Sequence, residues 1–120
     1  MELKHDCVRN VMLYLEENLT LRGVITNNNI EIKNYSSDDI TYTIMKLREA
    51  GFIEASKQDY AGIILIKSIT YNGHQFLDTI RDGQVWSETK SKISKIAGVS
   101  LPIIQQVASQ IIMLKLGITP

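Results

Sequence analysis

The chain has few of the residues that build covalent or metal-based sites. It contains one cysteine, Cys7, and two histidines, His5 and His74. A single cysteine cannot form an internal disulfide, and a lone thiol is typical of a reducing cytosol. A zinc site needs three or four protein ligands with recognisable spacing, and these residues are too few. We therefore expect a cytoplasmic protein without a metal or a cofactor.

Long apolar runs are also missing. No stretch approaches the ~20 apolar residues of a membrane-spanning helix. The first ten residues, MELKHDCVRN, contain no apolar core of the kind found in signal peptides. There is also no glycine-rich phosphate loop. These absences predict a protein that is neither inserted in a membrane nor built around a small-molecule substrate.

Net charge is zero, because 13 basic residues balance 13 acidic ones. Strong binding to DNA or acidic lipid is therefore not imposed by overall charge. Residues 84–120 nevertheless hold four lysines against one glutamate, a net charge of +3, so residues 1–83 carry −3. The lysines cluster at Lys90, Lys92 and Lys95. This cluster is either a solvated helix face or a strip that faces phosphates.

What is present is an ordinary globular domain. The 120 residues suit one domain, and 44% apolar with 22% charged residues is typical of a folded protein. Apolar spacing predicts a helix over 6–19, capped by Asp6. A second helix starts after Ser36, whose partner in a capping box is Asp39, and it ends at the glycine cap Gly51.

The segments that follow these two helices are predicted to form β-structure. Ile30 and Ile32 alternate with charged residues, which predicts a short strand after a turn of three asparagines. FIEAS and IILIKSI, joined by the polar loop KQDYAG, predict a hairpin. Thr70 then caps a helix that breaks at Asp82-Gly83, and helical spacing resumes as far as Gly98. The segment Ser100-Leu101-Pro102 opens a last helix.

This order predicts an α+β fold of the winged-helix type, a helix-turn-helix with a β-hairpin wing plus C-terminal helices. We assign residues 1–82 to the winged-helix domain. Residues 83–120 form a helical extension that packs on that domain or mediates dimerisation.

The stretch SITYNGHQFLDTIRDGQVW carries a resemblance to a known family. It resembles domain of unknown function 2513, which occurs in phages and prophages, and DITYTIMKLREAGFIEA is similar to the recognition helix and first wing strand of bacterial winged-helix regulators. The resemblance implies the fold and no established activity. The residues that match the family's motif are Thr70, Gly73, His74, Phe76, Leu77, Asp78 and Trp86.

His74 has a catalytic and a structural interpretation. Asp78 lies one helical turn later and could orient the imidazole as a base. No serine or cysteine nucleophile stands nearby in the sequence. We therefore interpret Gly73 as permitting close helix–sheet packing and His74 as hydrogen-bonding locally, and we expect no enzyme activity.

The helix after Ser36 is the candidate reading helix. DNA-reading helices usually offer Arg, Lys, Asn or Gln to the bases, whereas this helix also carries acidic residues. Tyr42 and Met45 are therefore either a protein-contact spot or residues packed under another segment. The candidate contacts to DNA or a partner, apart from the Lys90/Lys92/Lys95 cluster, are Ser37, Thr41, Tyr42, Met45, Lys46 and Lys57.

The last helix is apolar on more than one side. Ile104, Val107 and Ile111 form one stripe, and Ile112, Met113 and Leu116 form much of a second. A surface helix of a monomer should show a polar face. Either this helix is deeply buried, or it pairs with a second copy in a homodimer.

Two functions remain open. The main hypothesis, which follows from fold analogy, is a DNA-binding transcriptional regulator of the phage or prophage type. The alternative is a winged-helix module that binds another protein and not DNA.

Overall fold

The computed structural model describes residues 1–118 as a mixed α+β chain. The helices are α1 (His5–Asn18), α2 (Ser37–Glu49), α3 (Tyr71–Ile80), α4 (Gly83–Ile93) and α5 (Leu101–Lys115). The strands are β1 (Ile25–Thr26), β2 (Ile53–Ala55) and β3 (Leu65–Ile69), and a 3₁₀ turn covers Asn27–Asn29.

The three strands form one antiparallel sheet in the order β1-β3-β2. The predicted hairpin is confirmed: Ile53 pairs with Ile69, and Glu54 pairs with Ser68. Strand β1 adds to the other edge of β3, where Ile25 pairs with Ile66. The chain therefore contributes the two-residue strand β1 first, then forms α2, and completes the sheet with the β2–β3 hairpin.

The chain divides into two compact units, and the first is Met1–His74. Within it α1 packs against α2, and both helices contact the sheet. The Thr43 hydroxyl lies 3.3 Å from Cys7 Sγ at the α1–α2 contact. Burial raises the pKa of the Cys7 thiol, which keeps the protonated thiol favoured and the residue unreactive. The fully buried side chains of this unit include Met12, Leu15, Ile44, Leu47 and Ile66.

The second unit starts at Gln75, inside α3. Its helices α4 and α5 pack against each other. The buried side chains on these two helices include Val85, Trp86, Ile93, Ile104, Ala108 and Ile111. The assignment of residues 1–82 and 83–120 to a domain and an extension stays a prediction, and Thr119 and Pro120 of that extension lie outside the described residues.

Helix α2 forms as its sequence predicts. The Ser36 hydroxyl accepts from the Asp39 N–H at 3.1 Å, and the Ser36 N–H donates to the Asp39 carboxylate at 3.3 Å, which completes the capping box. Gly51 adopts a φ of +78° just beyond the helix, a conformation that glycine adopts without steric cost. Arg48 Nε donates to the Ala55 carbonyl at 2.9 Å and fastens the end of α2 to β2.

Two local predictions in the first unit were wrong. Asp6 does not cap α1, because the helix starts at His5 and its N-cap is Lys4, whose side chain makes no capping bond. Residues 30–32 form no strand. The edge of β3 is already occupied by β1, and the 3₁₀ turn follows directly.

The helix boundaries in the second unit were predicted in part. Asp82 caps α4 by accepting from the N–H groups of Gln84 and Val85. Helix α4 ends at Ile93 and does not continue to Gly98, and Ile96 is 70% exposed. The last helix opens as expected, with Pro102 in its first turn.

Candidate functional site

Helix α2 presents a mixed polar and apolar surface. Ser37 is exposed, Thr41 and Tyr42 are half-buried, and Met45 is 36% exposed. The structure thus places these predicted contacts at the surface to different degrees. Met45 is not packed away under another segment, whereas Tyr42 is partly covered.

The one lysine of α2 is balanced within the helix. Lys46 Nζ lies 3.1 Å from a carboxylate oxygen of Glu49 and 5.3 Å from the centre of the Tyr42 ring. The hydrogen bond to Glu49 raises the pKa of Lys46. An exposed pair of this kind adds little stability. The pairing with Glu49 does, however, neutralise the positive charge of Lys46 that would attract a phosphate.

Asn27 ties α2 to the hairpin. Its side chain is 5% exposed, and its Nδ2 donates to Thr41 Oγ1 at 2.9 Å and to the Gly62 carbonyl at 3.0 Å. Its Oδ1 accepts from the Ile64 N–H at 2.8 Å. A buried amide that satisfies partners on two elements fixes their separation. The exposed side of α2 and the end of the hairpin loop are therefore held together.

The hairpin loop displays an aromatic side chain and a cation. Asp59 Oδ1 accepts from the N–H groups of Ala61 and Ile63, both at 2.9 Å, which closes the turn. Tyr60, between Asp59 and Ala61, is fully exposed, and Lys57 is also exposed. An ordered turn that exposes a tyrosine suits contact with a partner, since tyrosine is enriched at interfaces.

The Thr-x-x-Gly part of the family motif joins α3 to the turn after α2. Thr70 Oγ1 donates to the Gly51 carbonyl at 2.6 Å and accepts from the Gly73 N–H at 3.0 Å. A Cβ on Gly73 would lie 2.0 Å from the Phe52 carbonyl oxygen. Only glycine permits this approach without a shift of the neighbouring backbone.

His74 does not play the predicted bonding role. Its side chain is exposed and makes no hydrogen bond within residues 1–118. It lies instead at a surface groove of about 290 Å³ shared with Leu15, Leu19 and Lys67. The motif residues Phe76, Leu77 and Trp86 are buried, whereas Asp78 is exposed and pairs with Arg81 at 2.7 Å. Asp78 therefore does not orient the imidazole.

Lys90 and Lys92 lie on different sides of α4, and Lys95 lies just beyond its end. Lys90 Nζ stands 5.9 Å from the Trp86 ring centre. Lys92 and Lys95 line a groove that Lys115 of α5 also enters. Residues two apart on a helix do not face each other, which separates Lys90 from Lys92. Lys92 and Lys95 therefore share one surface, and Lys90 faces another.

The dimer stripes predicted on α5 are only partly at the surface. Ile104 is fully buried and Ile111 is 6% exposed, so both belong to the core of the chain itself. Val107, Ile112 and Met113 are half-buried, and Leu116 is 70% exposed. Gln106 and Gln110 are exposed, but so are Ile103 and Leu114, so the exposed side of the helix is mixed and not purely polar.

Residues 1–118 contain no group of three or more His, Cys, Asp or Glu side chains placed to hold a metal ion. None of the helices within that range is both long enough and apolar enough to cross a membrane.

The sequence did not single out three of the residues that shape these surfaces. Asn27 was interpreted only as part of an asparagine turn, and no local pattern separates it from Asn28 and Asn29, although it alone of the three is buried. Tyr60 lies in a loop, where no sequence pattern distinguishes a contact residue. Lys115 joins Lys92 and Lys95 only through the packing of α5 on α4, which no local pattern indicates.

Comparison with known proteins finds a relative that matches most of the chain. A protein of Haemophilus influenzae (strain ATCC 51907 / DSM 11121 / KW20 / Rd), described as an uncharacterized protein, is 33% identical over 117 residues, which cover 93% of this chain and 96% of the relative. No solved structure matches. Residues 2–100 match the family described as hypothetical protein (DUF2513). The match includes the whole motif from Thr70 to Trp86, and the chain belongs to the DUF2513 family.

Proposed function

We propose that this protein binds DNA through a winged-helix arrangement in residues 1–74 and acts as a transcriptional regulator of the phage or prophage type. Helix α2 is the reading helix, and the β2–β3 hairpin is the wing. The observation that carries the proposal is the Asn27 link between Thr41 and Gly62. It holds the exposed side of α2 and the wing loop as one fixed surface, and a duplex requires such a surface.

The chemistry of this surface sets the strength of binding. The hydroxyl of Thr41 and the apolar side chain of Met45 offer single contacts to base edges, and Lys57 on the wing offers one to phosphate. Lys46 is paired with Glu49, and no arginine on α2 is free to read guanine, because Arg48 bonds to the sheet. Binding is therefore modest in affinity and steep in salt.

A titration of fluorescently labelled duplex DNA over a salt series tests the proposal. We expect the full-length protein to bind at low salt and to lose affinity as salt rises. Lys57→Glu reduces affinity and lowers the salt slope by about 0.9 for one lost phosphate contact. Lys67→Glu makes the same charge change on β3, at the groove near His74, and serves as the matched control. Equal loss in both variants would contradict a role for the wing.

A binding module for another protein is the second candidate. It is favoured by the internal pairing of Lys46, which leaves α2 without a net attraction for phosphate, and by the exposure of Met45 and Tyr60. Absence of binding to any duplex at low salt would support this function over the first. Neither candidate needs a catalytic residue, a cofactor or a small-molecule substrate, and both suit a cytoplasmic protein.

Self-association remains part of the proposal. A homodimer would place two reading helices against the two halves of a two-fold DNA site. Leu116, which is 70% exposed, and the half-buried Ile112 and Met113 are the available contacts. Light scattering on the wild type and on Leu116→Glu at micromolar concentration tests it. A dimer that dissociates in the variant supports the arrangement, and a monomeric wild type contradicts it.

A further inference from the structure

Helices α4 and α5 enclose an open groove of about 340 Å³. Lys92 on α4 and Lys95 just beyond it line one wall, and Lys115 stands on α5. Ile111 and Leu114 supply the apolar part of the lining. The groove lies wholly within the second unit.

The charge of the groove is positive. Lys115 Nζ lies 3.1 Å from a carboxylate oxygen of Glu88, so this pair is neutral. Lys92 and Lys95 are exposed, and neither forms an ion pair with another residue in 1–118. Two uncompensated positive charges therefore flank the groove and attract an acidic ligand.

The lining also has an apolar contact that phosphate cannot use. Leu114 is 62% exposed beside the nearly buried Ile111. A sugar–phosphate backbone would pair with the lysines but leave this leucine uncovered. An amphipathic helix with leucines on one face and carboxylates along its border matches both features, and helix-in-groove recognition works in this way.

We propose that the α4–α5 groove binds an acidic amphipathic helix of a partner protein. The partner's apolar residues pack on Leu114, and its carboxylates pair with Lys92 and Lys95. A second copy of the same groove is a poor occupant, because it would bring the same positive charges. The residues that line this groove all belong to the second unit, whereas the proposed DNA surface is built from residues of the first.

The test uses the full-length protein and a labelled synthetic helix of about 18 residues, with leucines on one face and glutamates along its edges. We expect Lys92→Glu with Lys95→Glu to weaken peptide binding by about ten-fold or more. Leu114→Ser should also weaken it. The matched control, Lys57→Glu with Lys67→Glu, makes the same charge change in the first unit and should leave peptide affinity unchanged.

Further binding measurements distinguish helix-in-groove recognition from simple charge attraction. A peptide with the same composition but scrambled faces should bind less tightly than the segregated one. The Lys92→Glu, Lys95→Glu protein should gain affinity for a version of the peptide with lysine in place of glutamate. Equal binding of the scrambled peptide would overturn the proposal. So would random duplex DNA that binds through Lys92 and Lys95 without any dependence on Leu114, since the groove would then be a phosphate site.

Discussion

Asn27 and Ile64 are hydrogen-bonded to each other twice. The Asn27 N–H donates to the Ile64 carbonyl at 3.2 Å, and the Ile64 N–H donates to Asn27 Oδ1 at 2.8 Å. These two hydrogen bonds extend the pairing of β1 with β3 by one residue beyond the end of β1. The side-chain nitrogen Nδ2 of Asn27 then donates to Thr41 Oγ1 and to the Gly62 carbonyl. One side chain thus connects the 3₁₀ turn, α2 and the hairpin.

Asn27→Ala should therefore be strongly destabilising. It removes three side-chain hydrogen bonds and leaves the buried Ile64 N–H without its acceptor. We expect a loss of about 2–3 kcal/mol in the free energy of unfolding, measured by urea denaturation. Asn29→Ala is the control, since Asn29 is exposed in the same turn. Equal stability of the two variants would show that the link does not hold the hairpin.

Gly73→Ala should destabilise the fold through a steric clash. The added Cβ would lie 2.0 Å from the Phe52 carbonyl oxygen, so helix or sheet must move. The expected loss is roughly 1–3 kcal/mol, as for overpacking in a close contact. At Gly83, a Cβ meets no atom within 4 Å. Gly83→Ala should therefore raise stability by about 0.5 kcal/mol, because it restricts the unfolded chain. Thermal melts of both variants check these opposite signs.

Sequence reasoning succeeded where a signal is local. The Ser36–Asp39 capping box, the Gly51 cap and the Thr70–Gly73 turn each occupy a few consecutive residues, and each stereochemical requirement selects a residue type. It failed where distant segments compete. The sheet edge pairs with Ile25–Thr26 and not with residues 30–32, and this choice depends on the hairpin. The convergence of Lys115 with Lys92 likewise depends on helix packing.

His74→Ala should leave stability nearly unchanged, contrary to the expectation from sequence. The side chain is exposed and makes no hydrogen bond within residues 1–118, so the change should stay within about 0.5 kcal/mol. Thr70→Val removes two hydrogen bonds at the start of α3 and should cost about 1–2 kcal/mol. Chemical denaturation of both variants makes the comparison. A loss in His74→Ala as large as that in Thr70→Val would restore the structural role for the histidine.

Asp39 should make stability fall in acid. The hydrogen bond from Lys4 at 3.1 Å, followed by the hydrogen bond from the Ser36 N–H, lowers the pKa of Asp39 from its usual 3.8. A carboxyl whose folded pKa is below its unfolded pKa stabilises the fold above the unfolded value. That contribution is lost as pH falls below 3.8 and through the lower folded pKa. Replacing the carboxylate with an amide removes the titration.

We therefore expect Asp39→Asn to have a lower melting temperature than the wild type at pH 6 and a smaller difference from it at pH values below the usual pKa of 3.8. The measurement is a series of thermal melts by circular dichroism across the acidic range. Asp38→Asn removes a neighbouring exposed carboxylate outside the Lys4–Ser36 hydrogen bonds and controls for the change in net charge. A constant difference between Asp39→Asn and the wild type at every pH would mean that ionisation of Asp39 does not stabilise the fold.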